Sequence, residues 1–494
     1  MCAEANPLSS NKTLIDNRVY QIGVARADIT PPVGIRLIGY TVREGLSRGI
    51  DEPLTATVLL VRGSGAMVAI VAHDWCFASM GFATKLRERC GIVLDIPPSN
   101  VLINFNHTHS APVVPDYLPY DTLEQLAMQA RHGEEMSVAL ERACREAKAH
   151  LRPARLAVGW GDCRANINRR EKLADGTVML GENPAGPCDQ RVGVLRLDGL
   201  DGNPLAVVFR YSCHTVTLGP KTNLISPDYA GAARTVIERT MGCPSLFLQG
   251  CAGNMNPVTG IGQDSDESPN VCEDKNRIGQ MLGGEVIKVC ATLRTHRRRT
   301  EPQLVQSVAP YWLYGYENIP PDAEGSVRAM ETTLTLPLVP FPSLTEVQLE
   351  REQYAARLAN AESNGARECD WRVAKRFDLW AQRRLNAATT GPNPWLISVP
   401  LQTIEIGDIA FIAAPMELMA ETGMSLCSAF PKRTTFVLGY SNGMISYLPT
   451  PEVSREGGME SKLAYKHYLV PAEIPGDWEP QIREAAVNLL KTKP

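Results

Sequence analysis

The chain has 494 residues, is 44% hydrophobic and 21% charged, and carries a formal net charge of -4, the composition of a globular protein able to bury a large core. That weak negative charge gives no support to nucleic acid or an acidic membrane as partner. Thirteen cysteines, an odd number without C-x-x-C pairs, argue for reduced and buried thiols and against a disulfide or thiolate-metal framework.

In chain order, "MCAEANPLSSNKTLIDN" has no basic start followed by an apolar core, and no stretch is apolar for long enough to cross a bilayer. The expectation is a cytoplasmic protein without a secretory signal. "TATVLLVR" and "MVAIVAH" flank a Gly-Ser-Gly turn and predict a hairpin, followed by a helix in "FATKLRERC". "NVLINFN" predicts a buried strand, and "TLEQLAMQARHGEEMSVALERACREAKAHL" a long amphipathic helix. Strands follow at "ARLAVGW", "VGVLRLD" and "LAVVFRYSC", then helix, strand and helix at "YAGAARTVIERTM", "SLFLQG" and "NRIGQMLGGEVIKVCATL". The acidic "GQDSDESPNVCED" lacks the glycine and ligand spacing of a calcium loop and reads as a mobile polar loop. The basic "RTHRRRT" reads as a solvated helix end or loop.

Residues 341 to 386 predict two charged amphipathic helices joined near Asn364 and Gly365, an inserted hairpin placed to cover a pocket. In "VPLQTIEIGDIAFIAAP" two β-runs meet at Gly407 and Asp408, a turn signal, and "PQIREAAVNLLKT" predicts a closing helix. Hairpins and crossovers both occur, so the expected fold class is α/β, mixed β-sheets flanked by helices. One domain is expected over 1–494, with the hairpin at 341–386 inserted in it.

In "NFNHTHSAPVVPD" an apolar strand stops at Phe105, so His107 and His109 lie at or past its carboxyl end. Extended backbone would put both rings on one face, at the strand ends where α/β proteins bind ligands. The same pair equally fits two polar residues at a strand mouth. "FRYSCHTVTLG" offers a second strand ending in Cys213 and His214. Of eight histidines, His132, His150 and His296 sit in charged helical contexts that read as exposed, whereas His73, His107, His109 and His214 stand at strand ends. A metal site needs that distribution; a hydrogen bond from His214 to a loop is the plainer alternative.

Six stretches, "VARADITPPVGIRLIGY", "NHTHSAP", "CHTVTLGPKTNLISPDYAGAA", "LQGCAGNMNP", "APMELMAETG" and "GYSNGMISYLPTPEVSREGGMES", resemble in order, and over nearly the whole chain, the catalytic domain of the neutral/alkaline ceramidase family. The resemblance implies that fold and a zinc ion held by His107, His214, Glu417 and Tyr447, with two imidazoles and a carboxylate leaving an open position for an activated water. Without it, Glu417 reads as an acid at a helix N-terminus and Tyr447 as core. His109 matches a histidine that faces substrate and shuttles a proton or polarises the scissile carbonyl.

The departures bear on mechanism. Where the family reads G-D-V-S-P-N, this chain has "GNMNPV", so the family's serine falls on Asn256 and its aspartate on Asn254. An amide cannot be a serine-type nucleophile, though it can donate to an oxyanion or orient substrate, and catalysis would then rest on water activated by the metal. The immunoglobulin-like domain and secretory signal of the lipid-acting members are absent from the sequence, which favours a soluble substrate. Arg169 and Arg170 follow a short Asn-rich strand end where the family has an N-R pair, and could clamp a carboxylate or phosphate, or simply be exposed. Asp228 either orients His214 or caps the next helix.

The expected function is zinc-dependent (Zn2+) hydrolysis of an amide, or an ester, in a soluble small molecule. His109, Asn256 and Tyr447 would be catalytic, the Gly253 backbone would steady the oxyanion, and Arg169, Arg170 and Asn254 would contact substrate. No nucleic acid and no stable membrane association are expected, and a homo-oligomer is compatible with the sequence. Four rival readings stand beside it, one of them an amidohydrolase-barrel, phosphatase-type or metallo-β-lactamase metal site, whose further histidines or following Asp-His pair "HTHSAPVV" does not supply. "GYSNG" fits G-x-S-x-G, with Ser441, Glu452 or Glu460, and His467 in the order of an α/β-hydrolase triad, although Pro449 interrupts the helix that a nucleophile elbow opens. The others are a catalytically silent binding homologue and a metal-dependent lyase.

Overall fold

The computed structural model describes residues 13–320 and 322–491; most of the N-terminal segment read for a signal lies outside the described residues, as does Cys2. One eight-stranded sheet runs in the order Ser245–Gln249, Pro204–Tyr211, Arg191–Gly199, Arg152–Asp162, Leu14–Asp28, Thr55–Arg62, Met67–His73, Val101–Phe105. The outermost pair at each edge is parallel and the inner pairs are antiparallel. The reason is connectivity: the helices Met80–Leu94 and Tyr229–Met241 each cross over to an edge strand, as a parallel pair requires. A second sheet orders Val327–Pro337, Leu396–Ile406, Ile409–Ala413 and Thr434–Leu438, its tight turn made by Asp408 and by Gly407 at φ 57°.

The two sheets pack face to face through Leu59, Ile70, Leu195 and Val208 on one side and Ile404, Phe411 and Phe436 on the other. Helices Met80–Leu94 and Leu123–Ala149 cover one half of the first sheet's outer face, and Tyr229–Met241 with Glu273–Thr292 the other half. The second sheet's outer face is covered by Glu368–Thr390, Ala420–Ser428 and Trp478–Lys491. The result is a four-layer α/β/β/α stack. Val101–Phe105 and Ser245–Gln249 are buried at every position because both faces are covered, and they therefore read as mostly apolar runs, broken by Asn104 in the first and bounded by Ser245 and Gln249 in the second.

The inserted hairpin forms from Leu344–Ser363 and Glu368–Thr390, joined through Asn364 and Gly365, with a Ser343–Glu346 capping box at its start. Its second helix runs past residue 386 to Thr390. The first helix buries little beyond Val347 and Leu358. The second seats Trp380 and Ala381 in the core of the second sheet's outer face.

Three local expectations change. The basic run does not end a helix: Arg297–Arg299 pairs with Tyr316–Asn318 as an exposed ribbon, where Arg299 and Arg294 lie over the rings of Tyr314 and Tyr316. His132 is buried rather than exposed, because its side of the helix faces Trp75. The acidic loop is anchored, Asp266 accepting the Asn223 N–H at 2.6 Å. The twelve described cysteines are free thiols, mostly buried. No described helix is long and apolar enough to cross a membrane.

The first sheet nearly closes on itself at one end. The Asn104 amide accepts the Gln249 N–H at 2.7 Å and donates to the Gln249 carbonyl at 3.2 Å, so one side chain does what a neighbouring strand would do. Gly439 to Asn442 fills the remaining gap: Phe105 N–H donates to the Tyr440 carbonyl and Asn442 N–H to the Ile103 carbonyl. The carboxyl ends of both edge strands and the segment after Thr434–Leu438 therefore meet at one place.

Candidate metal centre

Four separated segments bring His107, His214, Glu417 and Tyr447 together there. His107 follows the Val101–Phe105 strand, and its backbone is left-handed, with φ 65°. The expected extended run through residues 107 to 109 is therefore incorrect. The chain turns sharply, held by Thr108 N–H on the Asn106 side chain and by His107 N–H on the Trp75 carbonyl. The two rings still converge, with the Nε2 atoms of His107 and His109 3.3 Å apart. Such a backbone costs about 1–3 kcal/mol and persists only where surrounding contacts impose it.

The donor atoms are presented in one orientation. His107 Nδ1 lies 2.8 Å from the Cys76 carbonyl, and His214 Nδ1 lies 2.7 Å from the Ala252 carbonyl. Each Nδ1 therefore carries the proton, leaving an Nε2 lone pair directed inward. Glu417 Oε2 is 3.5 Å from His107 Nε2 and 3.3 Å from His214 Nε2, and the Tyr447 hydroxyl is 3.4 Å from His214 Nε2. An ion bound tetrahedrally at 2.0–2.1 Å needs donors about 3.3–3.4 Å apart. Lone pairs at that spacing, without a hydrogen to share between the imidazoles and the carboxylate, fit a cation.

The electrostatics agree. Burial holds the His107 imidazole below its usual value and His214 at about 3, so both stay neutral. Burial alone would raise Glu417, but His107, His214 and the Tyr468 hydroxyl bring it down to about 2. Tyr468 donates to Glu417 Oε1 at 2.5 Å and Tyr440 to Oε2 at 3.2 Å. Burial pushes the Tyr447 phenol well above its usual range, opposed by Arg169. A second cluster, Cys76 with His107 and His109, is a poorer fit: burial raises the thiol, which faces the nitrogen already committed to the Cys76 carbonyl.

The donor cluster lines a cavity of about 340 Å³. His109 lines it, its Nδ1 buried without a hydrogen-bond partner among the described residues. Its ring meets Tyr40 edge-on at 4.8 Å. It also lies so close to Gly39 that a Cβ there would come 2.4 Å from His109 Cγ. Arg169 lines the cavity too, donating to the Tyr447 hydroxyl at 3.0 Å and to Asn256 Oδ1 at 3.4 Å, with Glu460 as counter-ion.

Several expected site residues fall elsewhere. Arg170 is buried behind Arg169, spent on Glu460, Glu456 and the Gly457 carbonyl, and does not line the cavity. Asn254 faces away as well: its amide donates to Glu421 at 2.8 Å and accepts the Ala420 N–H at 2.9 Å. The Gly253 N–H is committed to the Leu418 carbonyl, so no oxyanion donor is left there. Asp228 caps the Tyr229–Met241 helix and binds Thr217 and Leu218, not His214. The serine reading fails on geometry. Ser441 is fully buried, its hydroxyl donating to the Gly439 carbonyl and accepting from Asn104. No described hydrogen bond joins Ser441 to an imidazole, no helix follows it, and Glu460 is held by the two arginines.

Sequence reasoning missed Tyr440 and Tyr468, which hold Glu417, and Tyr40, which flanks His109. Tyr40 and Tyr440 lie within quoted stretches, but aromatic residues beside apolar runs read as core.

Comparison with known proteins agrees with the fold. The sequence model of the family described as neutral/alkaline non-lysosomal ceramidase, N-terminal, matches residues 20–292. The neutral ceramidase of Pseudomonas aeruginosa is 22% identical over 469 residues, which cover 88% of this chain and 68% of that protein. Neutral ceramidase A of Dictyostelium discoideum is 26% identical over 270 residues, 52% of this chain and only 37% of the relative. The crystal structure of the Pseudomonas aeruginosa neutral ceramidase superposes with a TM-score of 0.61 at 17% identity, covering 96% of this chain and 74% of that one. Shared fold, matched segments and more than half the chain under the family model lead to one conclusion: the chain belongs to the neutral/alkaline non-lysosomal ceramidase family, hydrolases of an amide bond.

Proposed function

We propose that the chain is a zinc-dependent amidase acting on a small acylated molecule, with His107, His214 and Glu417 holding the ion and Tyr447 beside it. The observation that carries this reading is a buried carboxylate 3.5 and 3.3 Å from the Nε2 atoms of two imidazoles whose other nitrogen is committed to a main-chain carbonyl. An imidazole and carboxylate set favours zinc among common ions. When bound, the ion supplies Lewis acidity toward a carbonyl oxygen and toward water. An amide is the bond that the relatives' names imply.

The chain's own residues divide the remaining work. His109, kept neutral by burial and with its Nε2 3.3 Å from that of His107, takes a proton from the attacking water and passes it to the leaving amine. The Tyr447 phenol, kept protonated by burial and oriented by Arg169, donates to the developing oxyanion. Asn256, held by Arg169, orients the acyl group.

The test is elemental analysis of wild type and His107→Ala, with hydrolysis of a panel of N-acyl and O-acyl compounds. About one zinc per chain, lost in the variant together with amide hydrolysis, is expected, while Ser441→Ala stays active. Wild type grown with ample metal and purified without any would refute the reading. Activity that survives chelation but vanishes in Ser441→Ala would return it to a serine hydrolase.

A further inference from the structure

The cavity has an unbalanced wall. Its charged lining residues are Arg36, Arg169, Arg372, Arg376 and a single carboxylate, Glu417, which lies in the donor cluster. Two of the arginines are neutralised from behind: Arg169 by Glu460, and Arg36 by Asp121 and Glu368, both at 2.8 Å. Among the described residues Arg372 has only a longer share of Glu368, at 3.6 Å, and a bond to the Arg43 carbonyl.

Arg376 has no carboxylate partner among the described residues, although it is only 5% exposed. Its Nε donates to the His467 carbonyl at 2.7 Å and its Nη1 to the Tyr117 carbonyl at 2.6 Å, and the guanidinium lies 4.0 Å over the Tyr117 ring. Buried cations are ordinarily paired, because carbonyl dipoles and a ring face replace only part of the lost hydration. Both Arg372 and Arg376 come from the second helix of the inserted hairpin, so the insertion sets the charge of this wall.

Between Arg376 and the donor cluster the wall is aromatic. Tyr468, which holds Glu417, contacts Phe77 at 5.5 Å between ring centroids, and Phe77 contacts Tyr117 at 5.0 Å. A ligand spanning the cavity therefore meets, in order, the donor cluster, apolar rings and a guanidinium pair. We infer that the preferred substrate is an acyl amide bearing an anionic group, carboxylate or phosphate, separated from the scissile bond by an apolar spacer, and that Arg376 with Arg372 binds that anion. The amide half of this statement rests on the function proposed above; the anion half does not. An uncharged amide would leave Arg376 unpaired.

Binding and turnover test the two halves separately. Calorimetry on the metal-loaded protein compares decanoate, decyl phosphate and decanol; the anions are expected to bind at least tenfold more tightly than the alcohol, and the tighter of the two names the group. In Arg376→Gln, and in the more exposed Arg372→Gln should the first variant fold poorly, that advantage falls severalfold or more. An advantage unchanged in both folded variants means that the anion sits elsewhere, on the metal for instance, and overturns the inference. Turnover compares the mono-N-butylamide of dodecanedioic acid with N-butyl dodecanamide: wild type should favour the acid at least tenfold in kcat/KM, and the ratio should fall toward one in the variants. Equal turnover of the two amides also overturns it. If neither amide is cleaved the amidase reading is in difficulty, and the calorimetry still decides the anion site.

Discussion

His214 Nε2 lies 3.3 Å from the Glu417 carboxylate in a site where each residue is 1% exposed. Two acceptors held that close out of water repel unless a cation or proton lies between them, and burial disfavours protonating His214. Glu417→Gln keeps the shape but removes the charge, so metal binding should be lost. Tyr468→Phe removes only the 2.5 Å hydrogen bond that orients the carboxylate, and should weaken metal affinity by about 10–100-fold. Competition with a chromophoric chelator measures both; a Tyr468→Phe affinity equal to wild type would show that the carboxylate needs no such support.

Tyr447 and Arg169 make a second testable unit. The Arg169 Nη2 donates to the Tyr447 hydroxyl at 3.0 Å, with its guanidinium 5.6 Å from the ring centre. Tyr447→Phe should lower kcat by about 10²–10³ if the phenol stabilises an oxyanion. Arg169→Lys, which cannot span Tyr447, Asn256 and Glu460 with one planar group, should lower kcat less. Steady-state kinetics on any amide that is turned over give both values, and a Tyr447→Phe effect confined to KM would reassign the phenol to ground-state binding.

Much of this architecture is legible in the chain, because strands buried on both faces, such as Val101–Phe105, are apolar at all but one position and the long helices are periodic. The strand Leu14–Asp28 is not. Its sequence LIDNRVYQIGVARAD mixes acids and arginines, some of which find partners only in the fold, as Arg18 does with Asp408 and Arg26 with Glu238. The stacking of the second sheet on the first is equally hidden, since local pattern says nothing about which face meets which. At the site, the histidines are visible at strand ends, but whether a polar residue faces the cavity depends on one turn of backbone. Asn254 and Asn256 are two apart, yet one caps a helix and the other meets Arg169. The arginines at 169 and 170 likewise diverge, one into the cavity and one behind it.

That divergence predicts different outcomes for the two asparagines. Asn254 accepts the Ala420 N–H at the start of the Ala420–Ser428 helix and donates to Glu421, whose carboxyl is raised by burial. Asn254→Ala should therefore destabilise the fold by about 1–3 kcal/mol with kcat/KM changed little in the folded fraction. Asn256→Ala should do the reverse, sparing stability and lowering turnover. Urea unfolding alongside kinetics separates the two, and the opposite ordering would mean that Asn254, not Asn256, contacts substrate.

The last prediction concerns acid. His73 and His132 flank Trp75 in the core, far in role from the donor cluster, and burial lowers His73 to about 3 and His132 to about 4. Unfolded, each imidazole titrates near 6.5. Between those values the unfolded chain binds protons that the folded chain refuses, so stability is full above about pH 6.5 and falls as pH drops toward 4. Each such histidine contributes a slope of about 1.4 kcal/mol per pH unit, so the pair contributes on the order of 3. Replacing His132 by leucine removes one of the two, and urea unfolding at pH 7, 6, 5 and 4.5 should show a slope shallower by about one proton. An ion held at the donor cluster would be released in acid by both proteins alike, so the difference between the two profiles reports His132 together with its effect on His73; superimposable slopes would mean that His132 is already protonated in the folded core.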